Sequence, residues 1–319
     1  MVIPAFNAER TIRQVVHAAR EQDWPAGLEV IVVDDGSTDQ TASQAEQAGA
    51  KVLRQSNRGP AAARNRGWRA AQGQVVLFTD SDCKPHNDWA KRLLSGFTAP
   101  GVGAVAGSYG IWNSQSWLAR NIHKEIENRH SKMDGFIRVF GSYNVAIKKE
   151  VLEKLNGFDE SYRRASGEDN DLAYRMLKAG FTIGFRREAL VDHLHQESIL
   201  AYLREQARHG YYRMLMYRTH PEMIRGDDYT RLKDIVEPPL ALILVVSGIF
   251  ALFLPGVFLF LFLGSALAYS LLQVLVLVAQ GELATRWPYA GITFLRGLAR
   301  GVGMVGGLVR FSLRRPRME

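Results

Sequence analysis

A run of 44 residues, 238–281, contains no Asp, Glu, Lys, Arg or His. A membrane-crossing helix needs about 20 apolar residues, so this run is too long for one helix and suits two. A buried hairpin in a soluble protein is disfavoured, because the stretch LPGVFLFLFLG would expose too much apolar surface. The sequence therefore predicts a transmembrane hairpin over 238–281. It leaves open whether Pro255-Gly256 forms the turn or Pro255 kinks a first span that ends near Gly264-Ser265.

The segment that follows, residues 282–319, is apolar but interrupted by arginines and rich in glycine. Arg296 and Arg300 are four residues apart and would share one helix face, which favours an interfacial or re-entrant helix over a third crossing. The basic residues at the end of the chain are expected in the cytoplasm; they are Arg310, Arg314, Arg315 and Arg317. Two crossings then place the N-terminal domain on the same side. We expect a multi-pass protein of the cytoplasmic membrane, with no cleavable signal peptide and a cytoplasmic N-terminal domain.

The net charge of +8 does not indicate a nucleic acid as partner. The last 38 residues hold seven arginines and two glutamates, so most of the excess lies beside the uncharged run. A basic segment next to an apolar one is typical of membrane topology rather than of a nucleic-acid surface. The one cysteine, Cys83, excludes an intrachain disulfide and any Cys-rich metal centre.

Strand and helix patterns alternate over the first 110 residues and predict a mainly parallel α/β sheet covered on both faces. The predicted strands are VIPAF, LEVIVVDD and QVVLFTD, and helical character covers residues 9–22, 41–47 and 61–72. Ligands of such sheets bind at the carboxyl ends of the strands. Polar residues are concentrated at these ends: Asn7 and Glu9, then Asp34-Asp35-Gly36-Ser37, then Asp80-Ser81-Asp82.

Two stretches of the first 110 residues have the residue types that bind phosphate. Asp80 and Asp82 follow a strand and are suited to hold a divalent cation whose coordination shell is completed by substrate phosphates. The loop Asn57-Arg58-Gly59-Pro60 lets the backbone approach a ligand closely, and Arg64 at the following helix start suits bidentate pairing with a diphosphate. A structural explanation remains for each stretch. Asp80-Ser81-Asp82 also suits an ordinary loop, the arginines also suit a solvated helix face, and the earlier DDGSTD is also a good turn with a helix N-cap.

A second group of polar residues lies between residues 140 and 195. Glu168, Asp169 and Asp171 stand at the start of a predicted helix, where acids also favour the helix dipole. Three acids in four residues repel one another, so one of them is suited to act as a general base. His193 and His195 alternate on a predicted strand; as a zinc site they are too few, but one is suited to join the metal of the Asp80–Asp82 pair.

Taken together, these stretches resemble the family 2 glycosyltransferases of the GT-A fold. The resemblance covers roughly residues 2–217 and rests on six stretches in the family's order: VIPAFNAE, VVDDGSTD, NRGPAAARNRG, FTDSDC, NGFDE with GEDNDL, and HLHQESILAYLREQARHG. It implies a catalytic domain over 1–217, with a nucleotide-sugar half at 1–110, an acceptor half at 111–198 and an amphipathic interface helix at 199–217. Residues 218–237 are then a linker to the hairpin.

The resemblance also implies roles for individual residues. It implies a nucleotide-diphosphosugar donor, with uridine favoured, an Mg²⁺ or Mn²⁺ ion and an inverting displacement. The donor side comprises Pro4, Asn7, Glu9, Asp35, Gly59, Arg64, Asp80 and Arg208. Asp82, Asp80 and His193 are the expected metal ligands, with Asp82 bound directly. Asp169 is the expected base, with Glu168 beside it in the catalytic pair.

The acceptor is expected to be a hydroxyl of a membrane-associated or lipid-linked glycan, and one sugar is added. The motif Q-x-x-R-W of processive members is replaced by Glu205-Gln206-Ala207-Arg208-His209, which argues against polymer synthesis. A polyprenyl-phosphate glycosyltransferase is the first alternative, although such enzymes usually lack a comparable Glu-Asp pair. A sugar-nucleotide-binding scaffold without catalysis is the second. A nucleotidyltransferase is disfavoured because Asn7-Ala8-Glu9 supplies no glycine-rich basic loop.

Overall fold

The structure is a computed structural model that describes residues 1–25, 27–230, 232–279 and 289–312. It divides into two compact units, Met1–His195 and Gln196–Glu319. The second unit therefore contains residues 199–217, which the sequence assigns to the catalytic domain. Of the basic residues expected in the cytoplasm, the last three lie outside the described residues.

The first unit is an α/β domain. Its strands are β1 Val2–Ala5, β2 Ile31–Asp34, β3 Lys51–Arg54, β4 Val75–Thr79, β5 Cys83–Pro85, β6 Val102–Ile111, β7 Phe136–Ile137, β8 Asn144–Lys148 and β9 Thr182–His193. Its helices are α1 Ile12–Arg20, α2 Thr41–Gln47, α3 Pro60–Ala70, α4 Trp89–Leu94, α5 Trp117–His130, α6 Lys149–Lys154 and α7 Glu168–Lys178. The strands β1 and β2 are buried along their whole length, which explains their unbroken apolar sequence.

The sheet has the strand order β3-β2-β1-β4-β8-β6-β9-β5, with β7 paired to β9. The first four of these strands are parallel to one another, β8 is antiparallel to both of its neighbours, and β6 and β9 are parallel. Strands β6 and β9 therefore run in the same direction as β1, β2 and β4. The loops that follow β1, β2, β4 and β9 all leave the same edge of the sheet, and this edge collects the polar residues of the sequence.

A glycine controls the entry to α3. Gly59 has φ 95° and precedes Pro60, the first residue of the helix. Only glycine adopts this backbone region without strain, and proline suits the first helical turn because its missing N–H has no intrahelical partner. A Cβ at Gly59 would also lie 2.6 Å from the carbonyl oxygen of Arg163. The loop is thus fixed before Arg64, one turn further on.

The second unit is helical. It contains α8 Ile199–Thr219, a 3₁₀ turn Pro221–Arg225, α9 Leu232–Ala251, α10 Pro255–Ala279 and α11 Ala290–Ser312. Pro255 begins α10, so the turn of the apolar hairpin falls just before it and the kinked-span alternative is not what the structure shows. Helix α9 starts at Leu232, six residues before the uncharged run, and so takes in part of the predicted linker.

Among the described residues, three helices are long and apolar enough to cross a membrane: Leu232–Ala251, Pro255–Leu275 and Ala290–Phe311. The third is the segment for which an interfacial position is expected, and that expectation stays a prediction. Two of its three arginines are paired within the unit: Arg296 lies 3.2 Å from Glu237, and Arg300 lies 3.3 Å from Asp234. These ion pairs offset the charge of the two arginines on which the interfacial expectation rests.

The glycines of α11 allow close helix packing. A Cβ at Gly303 would overlap the carbonyl oxygen of Ala207, and one at Gly307 would overlap that of Tyr211. Small residues four positions apart let two helix backbones approach. The amphipathic helix α8 therefore packs on α11 within the second unit.

Candidate active site

A buried arginine joins the two acidic groups predicted from the sequence. Arg64, on α3, is 2% exposed. Its Nη2 donates to Asp80 Oδ1 at 2.7 Å, and its Nη1 donates to Glu168 Oε1 at 2.8 Å. The end of β4 and the start of α7 are thus held together by one guanidinium. In this structure the fork that the sequence assigns to a diphosphate is directed at two carboxylates.

The acids at the start of α7 have separate environments. Glu168 also accepts from the backbone N–H of Ser166 at 2.8 Å, and Asp171 pairs with Arg175 at 2.8 Å. Asp169 instead accepts backbone hydrogen bonds, from Ser142 at 3.2 Å and Asn170 at 2.8 Å. Glu168 and Asp171 therefore each pair with an arginine, whereas Asp169 is held by backbone N–H groups.

The electrostatics of Asp169 suit proton transfer. Burial and the negative charge of Glu168 raise the pKa of Asp169 to about 7, and Arg64 opposes this shift. A general base works best when its pKa lies near the operating pH. A carboxyl in this state takes up a proton readily at neutral pH, which an ordinary exposed aspartate does not.

The two aspartates after β4 point to different partners. Asp80 faces Arg64, whereas Asp82 Oδ2 lies 3.7 Å from His193 Nε2. Burial raises the pKa of Asp80 even though Arg64 lies beside it. Burial also opposes ionisation of Asp82, but His193 and the Cys83 thiol together outweigh it and lower the pKa of Asp82. Asp82 is the more readily ionised of the pair.

Asp82, Cys83 and His193 form a candidate metal-binding group, in which one ligand atom from each lies within 4.8 Å of the others. Strand β5 explains this geometry: Cys83 is directly opposite His193 in the antiparallel β5–β9 pair, and opposite residues share a face of the sheet. The sequence analysis missed β5 because a three-residue strand has no periodicity to detect.

The residues predicted on the nucleotide side hold loops together. Asp35, 4% exposed, accepts from the backbone N–H groups of Arg58 at 2.9 Å and Gly59 at 2.8 Å. Asn7 Oδ1 accepts from the N–H of Thr38 at 2.9 Å, and Glu9 Oε2 accepts from that of Gln40 at 3.1 Å. These contacts join the loops after β1, β2 and β3 into one rim.

Two other predicted contacts stand apart from this rim. Pro4 is buried inside β1, opposite Val33 of β2. Arg208 lies on α8 in the second unit. Nucleotide contacts by these residues stay predictions.

Several residues around the site were missed by the sequence analysis. Asn144 is 1% exposed; it donates to the carbonyls of Ser108 and Ala189 and accepts from Trp89 Nε1 at 2.7 Å. His123 and Asn113 contact the segment that follows β9. An isolated buried Asn or His gives no periodic signal, so only the tertiary contacts identify them.

The chain is similar in sequence to known glycosyltransferases. The profile of Glycosyl transferase family 2 matches residues 1–156, and that of the N-terminal domain of galactosyltransferase matches residues 121–197. The pre-mycofactocin glycosyltransferase of Mycobacterium tuberculosis is 32% identical over 227 residues, which cover 66% of this chain and 45% of that protein. An N-acetylglucosaminyltransferase of Azorhizobium caulinodans is 30% identical over 228 residues, covering 65% and 57%. The chain thus spans about half the length of these relatives.

A solved structure extends the likeness to the fold. The mannosyltransferase PcManGT of Pyrobaculum calidifontis, in complex with GDP-Man and Mn²⁺, has a TM-score of 0.61 and 21% identity. The match covers 96% of this chain and 86% of that one. The α/β fold class predicted from the sequence, followed by apolar C-terminal helices, is confirmed.

Proposed function

We propose that the protein is an inverting glycosyltransferase of family 2, whose profile matches residues 1–156. It transfers one sugar from a nucleotide-diphosphosugar to a hydroxyl of a membrane-associated or lipid-linked glycan. The observation that supports this proposal is the buried guanidinium of Arg64, which contacts both Asp80, on the proposed metal side, and Glu168, the neighbour of the proposed base Asp169.

The residues present fit a divalent metal. Asp82 offers an ionised carboxylate and His193 an imidazole nitrogen, a donor set that Mn²⁺ and Mg²⁺ accept when phosphate oxygens and water complete the shell. Asp80, held by Arg64, supplies the second carboxylate of the pair. When bound, the metal neutralises the departing nucleoside diphosphate. Support also comes from the fold relative that was solved with GDP-Man and Mn²⁺.

Asp169 takes the proton of the attacking hydroxyl. The backbone N–H of Ser142 orients the carboxylate, and Glu168 and burial set its pKa near neutrality. The hydroxyl oxygen attacks the anomeric carbon from the face opposite the diphosphate, which inverts that centre. Glu168, held between Arg64 and Ser166, acts as a positioning residue for this step.

The donor lies over the rim formed by the loops after β1, β2 and β3. Asp35 accepts hydrogen bonds from the backbone N–H groups of Arg58 and Gly59 and so fixes this loop. Because Gly59 has no side chain, the diphosphate can lie close to the backbone there. Phe6, at the end of β1, is 46% exposed and offers an aromatic face for the nucleobase. Uridine is the favoured base, and a nucleoside diphosphate panel decides between uridine and guanosine.

The Asp82→Ala variant is expected to lose metal-dependent nucleotide binding. In the wild-type protein, a nucleoside diphosphate with Mn²⁺ at about 100 times its Kd should stabilise the native state by about 2.7 kcal/mol. The measurement is thermal unfolding of the detergent-solubilised chain with UDP or GDP, with and without Mn²⁺. Asp88→Ala serves as the matched control and should keep the full shift, because Asp88 is a partly exposed aspartate that directly precedes α4 and pairs with Arg92. A wild-type protein that no nucleotide stabilises would instead favour a non-catalytic scaffold or a broken site.

The position of the acceptor at the membrane rests on the three apolar helices of the second unit. The full chain, reconstituted in liposomes on the outer face, is expected to have a higher kcat/KM for a lipid-linked acceptor than for its water-soluble headgroup. The gain should appear mainly in KM, because the bilayer concentrates the lipid-linked acceptor near the enzyme. Equal kcat/KM for both acceptors would contradict a membrane-bound substrate while leaving the transfer reaction intact.

A further inference from the structure

Three histidines form a chain of ring contacts behind the candidate metal group. His193 Nδ1 lies 2.9 Å from His195 Nδ1, and His195 Nε2 lies 3.4 Å from His123 Nδ1. The other nitrogen of His193, Nε2, faces Asp82. These ring contacts therefore connect the candidate metal group, through the residues at the end of β9, with α5.

The position of His195 is tightly determined. The ring is in the interior, with the residue 3% exposed. Asn113 clamps its backbone in both directions, donating to the carbonyl oxygen at 2.9 Å and accepting from the N–H at 3.1 Å. Tyr109 packs against both rings, with centroid distances of 4.9 Å to His193 and 5.9 Å to His195. These contacts hold the ring of His195 with its Nδ1 facing Nδ1 of His193.

The contact between His193 and His195 restricts where the protons lie. Two N–H groups cannot face each other at 2.9 Å, so one Nδ1 donates and the other accepts. A metal bound through His193 Nε2 needs the lone pair on that nitrogen, which puts the proton of His193 on Nδ1. His195 Nδ1 then accepts, and His195 carries its own proton on Nε2, facing His123.

The opposite arrangement, in which His195 Nδ1 donates to His193 Nδ1, is incompatible with metal binding at Nε2 of His193. If His195 Nδ1 donates, His193 carries its proton on Nε2 and directs an N–H at Asp82 instead of a lone pair. Metal-binding histidines generally donate their second ring N–H to a fixed acceptor, which orients the ring and sets the tautomer. Here that acceptor is an imidazole nitrogen rather than a carboxylate or a carbonyl.

We infer that His195 is a positioning residue for the metal ligand His193: it accepts the Nδ1 proton of His193 and thereby keeps the lone pair on the nitrogen that faces Asp82. This inference rests on the proposed function, because it concerns the divalent metal of that reaction. His123 extends the same chain by accepting from His195 Nε2.

The test is the Mn²⁺ affinity of the full chain in detergent, measured from the electron paramagnetic resonance signal of free Mn²⁺ at saturating nucleoside diphosphate. His195→Leu is expected to weaken Mn²⁺ binding by about 10- to 100-fold. His195→Asn keeps an acceptor oxygen near the position of Nδ1 and should restore most of the affinity. The matched control is His130→Leu, since His130 is 4% exposed, lies 5.9 Å from the same Tyr109 ring, and bonds Ser108 instead.

A second measurement needs no variant. In the wild-type chain with ¹⁵N-labelled histidine, Mg²⁺ and nucleoside diphosphate, NMR should show His193 protonated on Nδ1 and His195 on Nε2. A proton on Nε2 of His193 overturns the inference even if the His195 variants fail to fold. Wild-type affinity in His195→Leu, or no recovery in a folded His195→Asn, overturns it as well. A wild-type chain that binds no Mn²⁺ overturns the proposed metal-assisted function itself, so the two failures are distinct.

Discussion

Asp169→Asn is expected to lower kcat for transfer to a hydroxyl acceptor by about 10²- to 10⁴-fold, the usual contribution of a general base. The amide keeps the size of the side chain and accepts from the backbone N–H of Ser142, but it takes up no proton. Binding of the nucleoside diphosphate with Mn²⁺ should remain, because in the proposed mechanism Asp169 contacts the acceptor and not the donor. The measurements are initial rates with a radiolabelled donor and nucleotide-dependent thermal stabilisation of the same sample.

Asp171→Asn is the matched control for this variant. It removes a carboxylate from the same turn of α7, but Asp171 is paired with Arg175 at 2.8 Å. We expect a loss of stability in that variant with kcat close to the wild-type value. A wild-type rate of transfer to the hydroxyl acceptor in Asp169→Asn would exclude Asp169 as the base. Transfer to a polyprenyl phosphate that this substitution leaves unchanged would favour a phosphate acceptor, which is already nucleophilic and needs no proton removed.

The pH profile of the wild-type enzyme gives an independent test of the same role. The base must be ionised to act, and burial with the charge of Glu168 raises the pKa of Asp169 to about 7. The value of kcat/KM should therefore fall about tenfold per pH unit below that pH and level off above it. This acidic limb should disappear in Asp169→Asn. A wild-type profile that stays flat into the acidic range would show that Asp169 is not the group that titrates.

Arg64→Met is expected to lower the free energy of unfolding of the first unit by about 3–5 kcal/mol, the typical cost of removing one partner from a buried ion pair. Methionine fills much of the volume, but Glu168 then stays buried without its cation, and Asp80 loses its contact at 2.7 Å. Urea denaturation followed by tryptophan fluorescence measures this, since five of the six tryptophans lie in residues 1–195. Activity should fall too, because the arginine joins the metal side to the base side.

The control for Arg64 lies on the same helix. Arg69 is 47% exposed in its side chain and is 3.9 Å from Glu160, so Arg69→Met should change stability by less than about 1 kcal/mol. Arg64→Lys keeps the charge but not the fork, and we expect an intermediate loss because an ammonium contacts the two carboxylates less well. Equal unfolding midpoints for Arg64→Met and Arg69→Met would contradict the bridging role of Arg64.

Several residues of the candidate site are predicted from the sequence. The sequence motifs predict Asp80, Asp82 and His193 as metal ligands, and the structure brings Asp82 within 3.7 Å of His193, while their binding of a metal stays a prediction. Arg64 was predicted as a site residue with a different partner, since the sequence assigned its guanidinium to phosphate and the structure directs it at Asp80 and Glu168. The alternating strand pattern indicates His195 only as the companion of His193, and no sequence pattern indicates His123.

Local sequence patterns predict the strands and helices that end in polar site residues, but not the short strand β5. Strand alternation, helix capping and a 44-residue uncharged run are properties of neighbouring residues, so local physics is enough to predict them. The pairing of charged and titratable groups depends instead on the folded structure. Arg64 meets Asp80 across 16 positions and Glu168 across 104, and Arg296 meets Glu237 across 59. Such pairs leave no periodic trace, because the contact forms when elements pack and the burial that sets its strength exists only in the folded chain.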